Sequence, residues 1–109
     1  MWYQKRQNKY NSKTKEYNGR VYHSIKEAAY ARDLDLMIKA KEIKSWKPQV
    51  RLSLDVNDYH ICNYIVDFEV ITSDGTKEYH EVKGFETEVW RLKRKLFEAL
   101  YDESLIVIK

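Results

Sequence analysis

Apolar and polar residues follow two periods along this chain, and the switches between them mark its elements. From Ser24 to about Lys41, Ala31, Leu34 and Ile38 recur at helical spacing, with Tyr30 and Met37 beside them. Ser24-Ile25-Lys26-Glu27 opens the stretch as a capping box, with Ser24 as N-cap and Glu27 at N3. The period then drops to two. Val50, Leu52, Leu54 and Val56 alternate with Arg51, Ser53 and Asp55, which predicts a half-buried strand. Asn57-Asp58 turns the chain into a second strand, from about His60 to Thr72. Ser73-Asp74-Gly75 is a three-residue hairpin loop with Gly75 in the left-handed position. The third strand runs from Thr76 to Lys83 and ends at Gly84. Helical spacing returns from about Thr87 to Tyr101, with a stripe of Val89, Leu92, Leu96, Phe97 and Leu100. The continuous apolar run Leu105-Ile106-Val107-Ile108 suits a short strand buried on both faces and parallel to its neighbour. The order helix, three-strand meander, helix, strand predicts an α/β (α+β) fold with a mixed central sheet flanked by helices.

The hairpin loop fixes a register with a chemical consequence. Pairing its arms about Asp74 sets Thr72 opposite Thr76 and Asp67 opposite Glu81. Two carboxylates then share one sheet face with Cβ atoms roughly 5 Å apart, an arrangement that destabilises a sheet unless something compensates. Lys83, two residues past Glu81, shares that face. Two carboxylates and a lysine suit a hard divalent cation such as Mg²⁺, which takes oxygen ligands from one or two carboxylates plus water and phosphate. Solvated acids, with Glu81 paired to Lys83 or Lys77, are the plainer alternative. Against it, Asp67 lies among Tyr64, Ile65, Val66, Phe68, Val70 and Ile71, where an acid is costly without a partner.

Composition narrows the class. The chain has 109 residues, 43% hydrophobic and 34% charged, which fits one self-sufficient domain. No apolar run reaches the roughly 18 residues a membrane helix needs, and no signal-peptide core opens the chain. One cysteine, Cys62, excludes a disulfide framework and a thiolate zinc cluster, so a reducing, intracellular setting is expected. The net charge is only +3, but residues 1–20 hold Lys5, Arg6, Lys9, Lys13, Lys15 and Arg20 among Trp2, Tyr3, Tyr10 and Tyr17. Such a basic, aromatic arm ahead of a 21–109 domain suits phosphate contact and base stacking, or is a solvated tail.

Asp67 followed by Glu81-Val82-Lys83 after a hairpin resembles the signature of the PD-(D/E)xK nuclease superfamily, whose core has the same element order. The resemblance is closest to small phage-type, Holliday-junction-resolvase-like proteins of that superfamily. It extends over nearly the whole chain through Lys9-Tyr10-Asn11, Ser24 with Glu27-Ala28, Glu42-Ile43, Gln49, Gly84 and Leu92-Lys93 with Lys95-Leu96-Phe97. Val66 stands in place of the proline of the name, and Lys41-Glu42 where Gly-Glu is expected. The resemblance implies Mg²⁺- or Mn²⁺-dependent hydrolysis of DNA phosphodiesters within a restriction-endonuclease-like core. It implies Asp67, Glu81 and the Val82 carbonyl as metal ligands, Lys83 as the residue that positions water or stabilises charge, and Glu27 as a further acid of the site.

Glu27 is explained equally by the capping box, and the two roles are compatible because it shares the inward stripe of Ala31 and Leu34. Lys93 falls on the apolar face of the second helix, either snorkelling past its neighbours or reaching the site phosphate. Gln49, just before the first strand, is near the site by resemblance or a surface residue. Arg91, Arg94 and Lys95 face the other way, toward the DNA backbone or solvent. His23, His60 and His80 lack metal-ligand spacing and read as structural. DNA is the expected partner, double-stranded or branched, with a two-fold dimer giving paired cuts and exposed Trp90 or Tyr101 at its interface. The rivals are a non-catalytic nucleic-acid-binding protein on the same fold and an adaptor with solvated hairpin acids.

Overall fold

The computed structural model describes residues 13–109. In chain order it contains β1 (Lys15–Tyr17), β2 (Arg20–Tyr22), α1 (Ile25–Lys39), β3 (Ile43–Val56), β4 (Tyr59–Thr72), β5 (Lys77–Val82), α2 (Glu88–Leu100) and β6 (Ser104–Ile108). Strands β3, β4 and β5 form an antiparallel meander, and β6 joins β5 in parallel, so the sheet is mixed with order β3-β4-β5-β6. The helix, meander, helix, strand order expected from periodicity is therefore present.

Each helix starts where a hydroxyl caps it. Ser24 Oγ accepts from the Glu27 N–H at 3.0 Å, and Thr87 Oγ1 accepts from the Trp90 N–H at 3.0 Å. Helix α1 lays Ala28, Ala31 and Leu34 against Phe68, Val70 and Val82. Helix α2 lays Trp90 and Phe97 against Leu52, Leu54, Tyr64, Val66 and Tyr79. Its buried face differs from the expected stripe: Val89, Leu92 and Leu100 are exposed. The aromatic pair at i and i+7 takes the inward side, where Phe97 stacks edge-on against Tyr64 and Tyr79. Trp90 is thus core and not an exposed interface residue. Tyr101 stacks on Phe97 and donates its hydroxyl to the Ser53 carbonyl at 2.8 Å.

The hairpin register is the expected one. Phe68 pairs with His80, Glu69 with Tyr79, Val70 with Glu78 and Ile71 with Lys77, and Gly75 has φ +92°. Strand β3 starts earlier than expected and runs through Pro48, which an edge strand tolerates. Gln49 therefore lies inside β3, not before it. Its φ of 55° is a left-handed conformation that a non-glycine residue seldom adopts in a strand. The β3–β4 pairing passes from Pro48↔Phe68 to Val50↔Val66, skipping the position where Gln49 faces Asp67. At that position the packing also changes hands: Phe68 and Val70 join the α1 core, whereas Val66 and Tyr64 join the α2 core.

Lys15 and Arg20, read in the sequence as parts of a basic arm, stand on a short hairpin closed by Asn18 (φ 52°) and Gly19 (φ 85°). Asn-Gly between Tyr17 and Arg20 was the signal for it. The hairpin packs on α1: the Tyr17 hydroxyl donates to Asp35 Oδ2 at 2.6 Å, and Tyr22 enters the α1 core. Lys13 precedes it and is exposed. Lys5, Arg6 and Lys9 lie outside the described residues. Among the described residues, no helix is long and apolar enough to cross a membrane.

Candidate active site

Three acids meet where the two half-cores join. Asp67 comes from the middle of β4, Glu81 from the end of β5 and Glu27 from the first turn of α1, and all three are buried. The last ladder pair between β4 and β5 is Phe68↔His80. Beyond it, side chains take over the bonding. The Asp67 N–H donates to Glu81 Oε1 at 3.2 Å, and the Val82 N–H donates to Asp67 Oδ2 at 2.8 Å. The two carboxylates thus hold the strands together where the backbone ladder stops.

Burial is the main reason that the Asp67 carboxyl is pushed up to about 8; the neighbouring charges of Glu81 and Glu27 push it further in the same direction. Glu81 is raised as well, again by burial, against the opposing pull of the Asp67 N–H and Lys83. A pair of buried acids held this way is short of positive charge. Lys83 supplies part of it, with Nζ 3.6 Å from Glu81 Oε2. Lys83 also lies over the Trp90 ring, 5.0 Å from its centroid, so the ammonium is held between a carboxylate and an aromatic face.

Glu27 lies buried in the first turn of α1. Its Oε1 accepts from the His23 N–H at 3.3 Å, one residue ahead of the Ser24 N–H that a capping box uses, and its charge helps to raise the Asp67 carboxyl. Sequence reasoning passed over Tyr64. Its hydroxyl accepts from Trp90 Nε1 at 3.0 Å, and its own proton is held far more tightly than usual by burial and by the nearby Glu81 charge. A tyrosine in place of a phenylalanine at a core position was the available signal. Glu69, the next acid on the Asp67 face, is a structural contrast: it is neutralised by Lys47 and Lys77, each at 3.7 Å.

The remaining sites divide. Lys93 is half-buried and lines the same cavity as Glu81 and Lys83. Gln49 holds the register position opposite Asp67, where the β3–β4 ladder has no pair. Arg91 is engaged by Glu86 at 3.4 Å and Arg94 by Glu98 at 3.2 Å, and Lys95 is exposed. His80 is structural, bridging the Tyr30 hydroxyl at 2.6 Å and Glu78 at 2.9 Å.

Among the described residues, no three His, Cys, Asp or Glu side chains form a ready-made metal cage. The oxygen donors nevertheless fit a hard cation that needs only one or two carboxylates and keeps several waters, such as Mg²⁺ or Mn²⁺. Asp67 and Glu81 would hold it, with the Val82 carbonyl at the strand end. No curated protein and no solved structure matches the chain. A family model described as "Protein of unknown function (DUF1064)" matches residues 7–109, so the chain belongs to that family.

Proposed function

We propose that this protein is a Mg²⁺- or Mn²⁺-dependent endodeoxyribonuclease of the PD-(D/E)xK type, acting inside the cell on branched or junction DNA. One observation carries the proposal: Asp67 and Glu81 lie buried beside each other at the end of a ladder, with raised proton affinity and Lys83 within 3.6 Å. Burying two carboxylates side by side costs stability even where they bond the strands, and carboxyls perturbed in this way cluster at functional sites.

The bound metal would supply Lewis-acid polarisation of a phosphoryl oxygen and a more acidic water. The protein's own part follows from the geometry. Asp67 and Glu81 present ionised oxygens once their protons are displaced. Lys83, held by Glu81 and Trp90, offers an ammonium where charge grows on the phosphate oxygens as water adds to phosphorus. One P–O ester bond then breaks, and the departing oxygen takes up a proton. Glu27 adds a further negative charge beside Asp67 from the α1 side. Lys15, Arg20 and Lys95 are exposed cations for sequence-independent backbone contact, which should weaken steeply with salt. A two-fold dimer would place two such centres for paired cuts.

The test is cleavage of linear, flap, fork and four-way DNA with Mn²⁺, wild type beside Lys83→Ala. Cleavage of at least one form that Lys83→Ala loses supports the proposal. No cleavage of any form, or equal cleavage by both proteins, refutes it.

A further inference from the structure

Two cavities flank Lys83. One, of about 420 Å³, is walled by His23, Lys26, Glu27 and Thr87. The other, of about 280 Å³, lies between the Asn63–Ile65 stretch of β4 and the first two turns of α2, with Glu81 also on its wall. Lys83 lines both.

The second cavity has a topological origin. Strand β4 is 14 residues long but pairs with β5 only through residues 68–71. Among the described residues, no strand continues along the β4 edge toward Tyr59. The chain leaves the sheet after Val82 and returns as α2. A trough is left between strand edge and helix, with the proposed catalytic groups at one end.

Its walls differ from those of a folded core. Ile65 is 49% exposed and Val89 64% exposed, yet both line the trough. Asn63 adds an amide with both donor and acceptor capacity. Lys93 adds a cation which, unlike Arg91 and Arg94, pairs with no acid among the described residues. Apolar sides, one amide and one unpaired lysine beside a phosphate-cleaving centre are complementary to a single nucleotide. A base has apolar faces and a polar edge, and its phosphate is anionic.

We propose that this trough holds one unpaired nucleotide of DNA adjoining the phosphate that Lys83 addresses. The base lies between Ile65 and Val89, Asn63 meets its edge, and Lys93 meets the next phosphate. The assignment rests on the nuclease reading for the position of the cut, and it names the substrate class: DNA in which the cut strand is unpaired on one side. An intact duplex would have to unstack a base to enter.

The test is a binding titration in chelator, so that no cleavage occurs. The probes are a labelled forked DNA and a blunt duplex of equal length. Wild type should bind the fork about tenfold more tightly than the duplex, in line with the stacking of one base. Val89→Trp fills the trough without adding charge, and Ile65→Glu adds charge to its wall; each should lower fork affinity about tenfold and duplex affinity much less. Both positions are on the surface, and unchanged thermal unfolding will show that the fold is kept. Lys93→Ala should reduce the slope of log affinity against log salt by about one. Equal wild-type affinity for fork and duplex overturns the inference, as does undiminished fork affinity in Val89→Trp. Tighter binding of a forked RNA overturns the assignment to DNA. Because the titration is read without metal, absence of cleavage would sink the nuclease reading while leaving this result standing.

Discussion

The Asp67 N–H donates to Glu81 Oε1 at 3.2 Å, and the Val82 N–H beside Glu81 donates to Asp67 Oδ2 at 2.8 Å. Each acid therefore anchors the other's strand. Both must ionise to take a cation, and burial opposes that.

A pH dependence of stability follows. The Asp67 carboxyl stands near 3.8 in the unfolded chain and is pushed up to about 8 in the fold. Between those values the folded state binds more protons than the unfolded one, so this group's contribution falls as pH rises from about 4 to about 8. Metal-free protein should melt at a lower temperature at pH 8 than at pH 5.5. Asp67→Asn should flatten that slope and raise the pH 8 melting temperature by a few degrees. Thermal unfolding across the pH range checks both.

Mg²⁺ or Mn²⁺ should reverse the loss at pH 8. Binding to the folded state alone stabilises by about 2.7 kcal/mol at a hundredfold excess over Kd. The melting temperature of wild type should rise with metal, and that of Asp67→Asn should not. Equal shifts in the two proteins would place the metal elsewhere.

Glu27 separates capping from chemistry. Glu27→Gln keeps an oxygen for the His23 N–H but removes a charge that raises the Asp67 carboxyl. The variant should melt close to wild type, and its metal-free stability should depend less on pH. Glu27→Ala should lose the bond to the His23 N–H as well, while Ser24 still caps α1, at a cost of about 1 kcal/mol, read by denaturant titration.

Gly75 holds the register. With φ +92°, any other residue there is strained, so Gly75→Val should destabilise by about 1–2 kcal/mol. Cleavage should fall further than the unfolded fraction accounts for, because a slip of one residue would turn Asp67 from Glu81. Parallel unfolding and activity measurements distinguish the two effects.

Phe97 is fully buried against three tyrosines. Phe97→Ala should cost about 3–5 kcal/mol and leave Lys83 less firmly placed through the loosened Trp90. Denaturant unfolding measures the first effect.

The facing of Asp67 and Glu81 was legible in the sequence because a three-residue loop with one glycine leaves a single register. The α1 cap was legible because Ser24 and Glu27 sit at the spacing that satisfies the helix entry. The buried face of α2 was not. Val89, Leu92 and Leu100 have the right period, but size decided, and Trp90 with Phe97 took the interior. The Lys15–Tyr22 hairpin was hidden by charge: its basic residues suggested a tail, while Asn18-Gly19 carried the geometry. The left-handed Gln49 had no local signal, since neither glycine nor asparagine marks it. Its position opposite Asp67 in the register follows only from the paired strands.

The change of hands at Gln49 and Asp67 makes the three acids a seam. Glu27 belongs to the element packed on Phe68 and Val70, and Lys83 rests on Trp90 of the opposite half. A cation bound at this seam, as proposed, would act as a rivet between the two hydrophobic halves of a small protein. Its loss would be felt as looser coupling of α1 to α2, so the proposed chemistry and the cooperativity of unfolding would share the same few atoms.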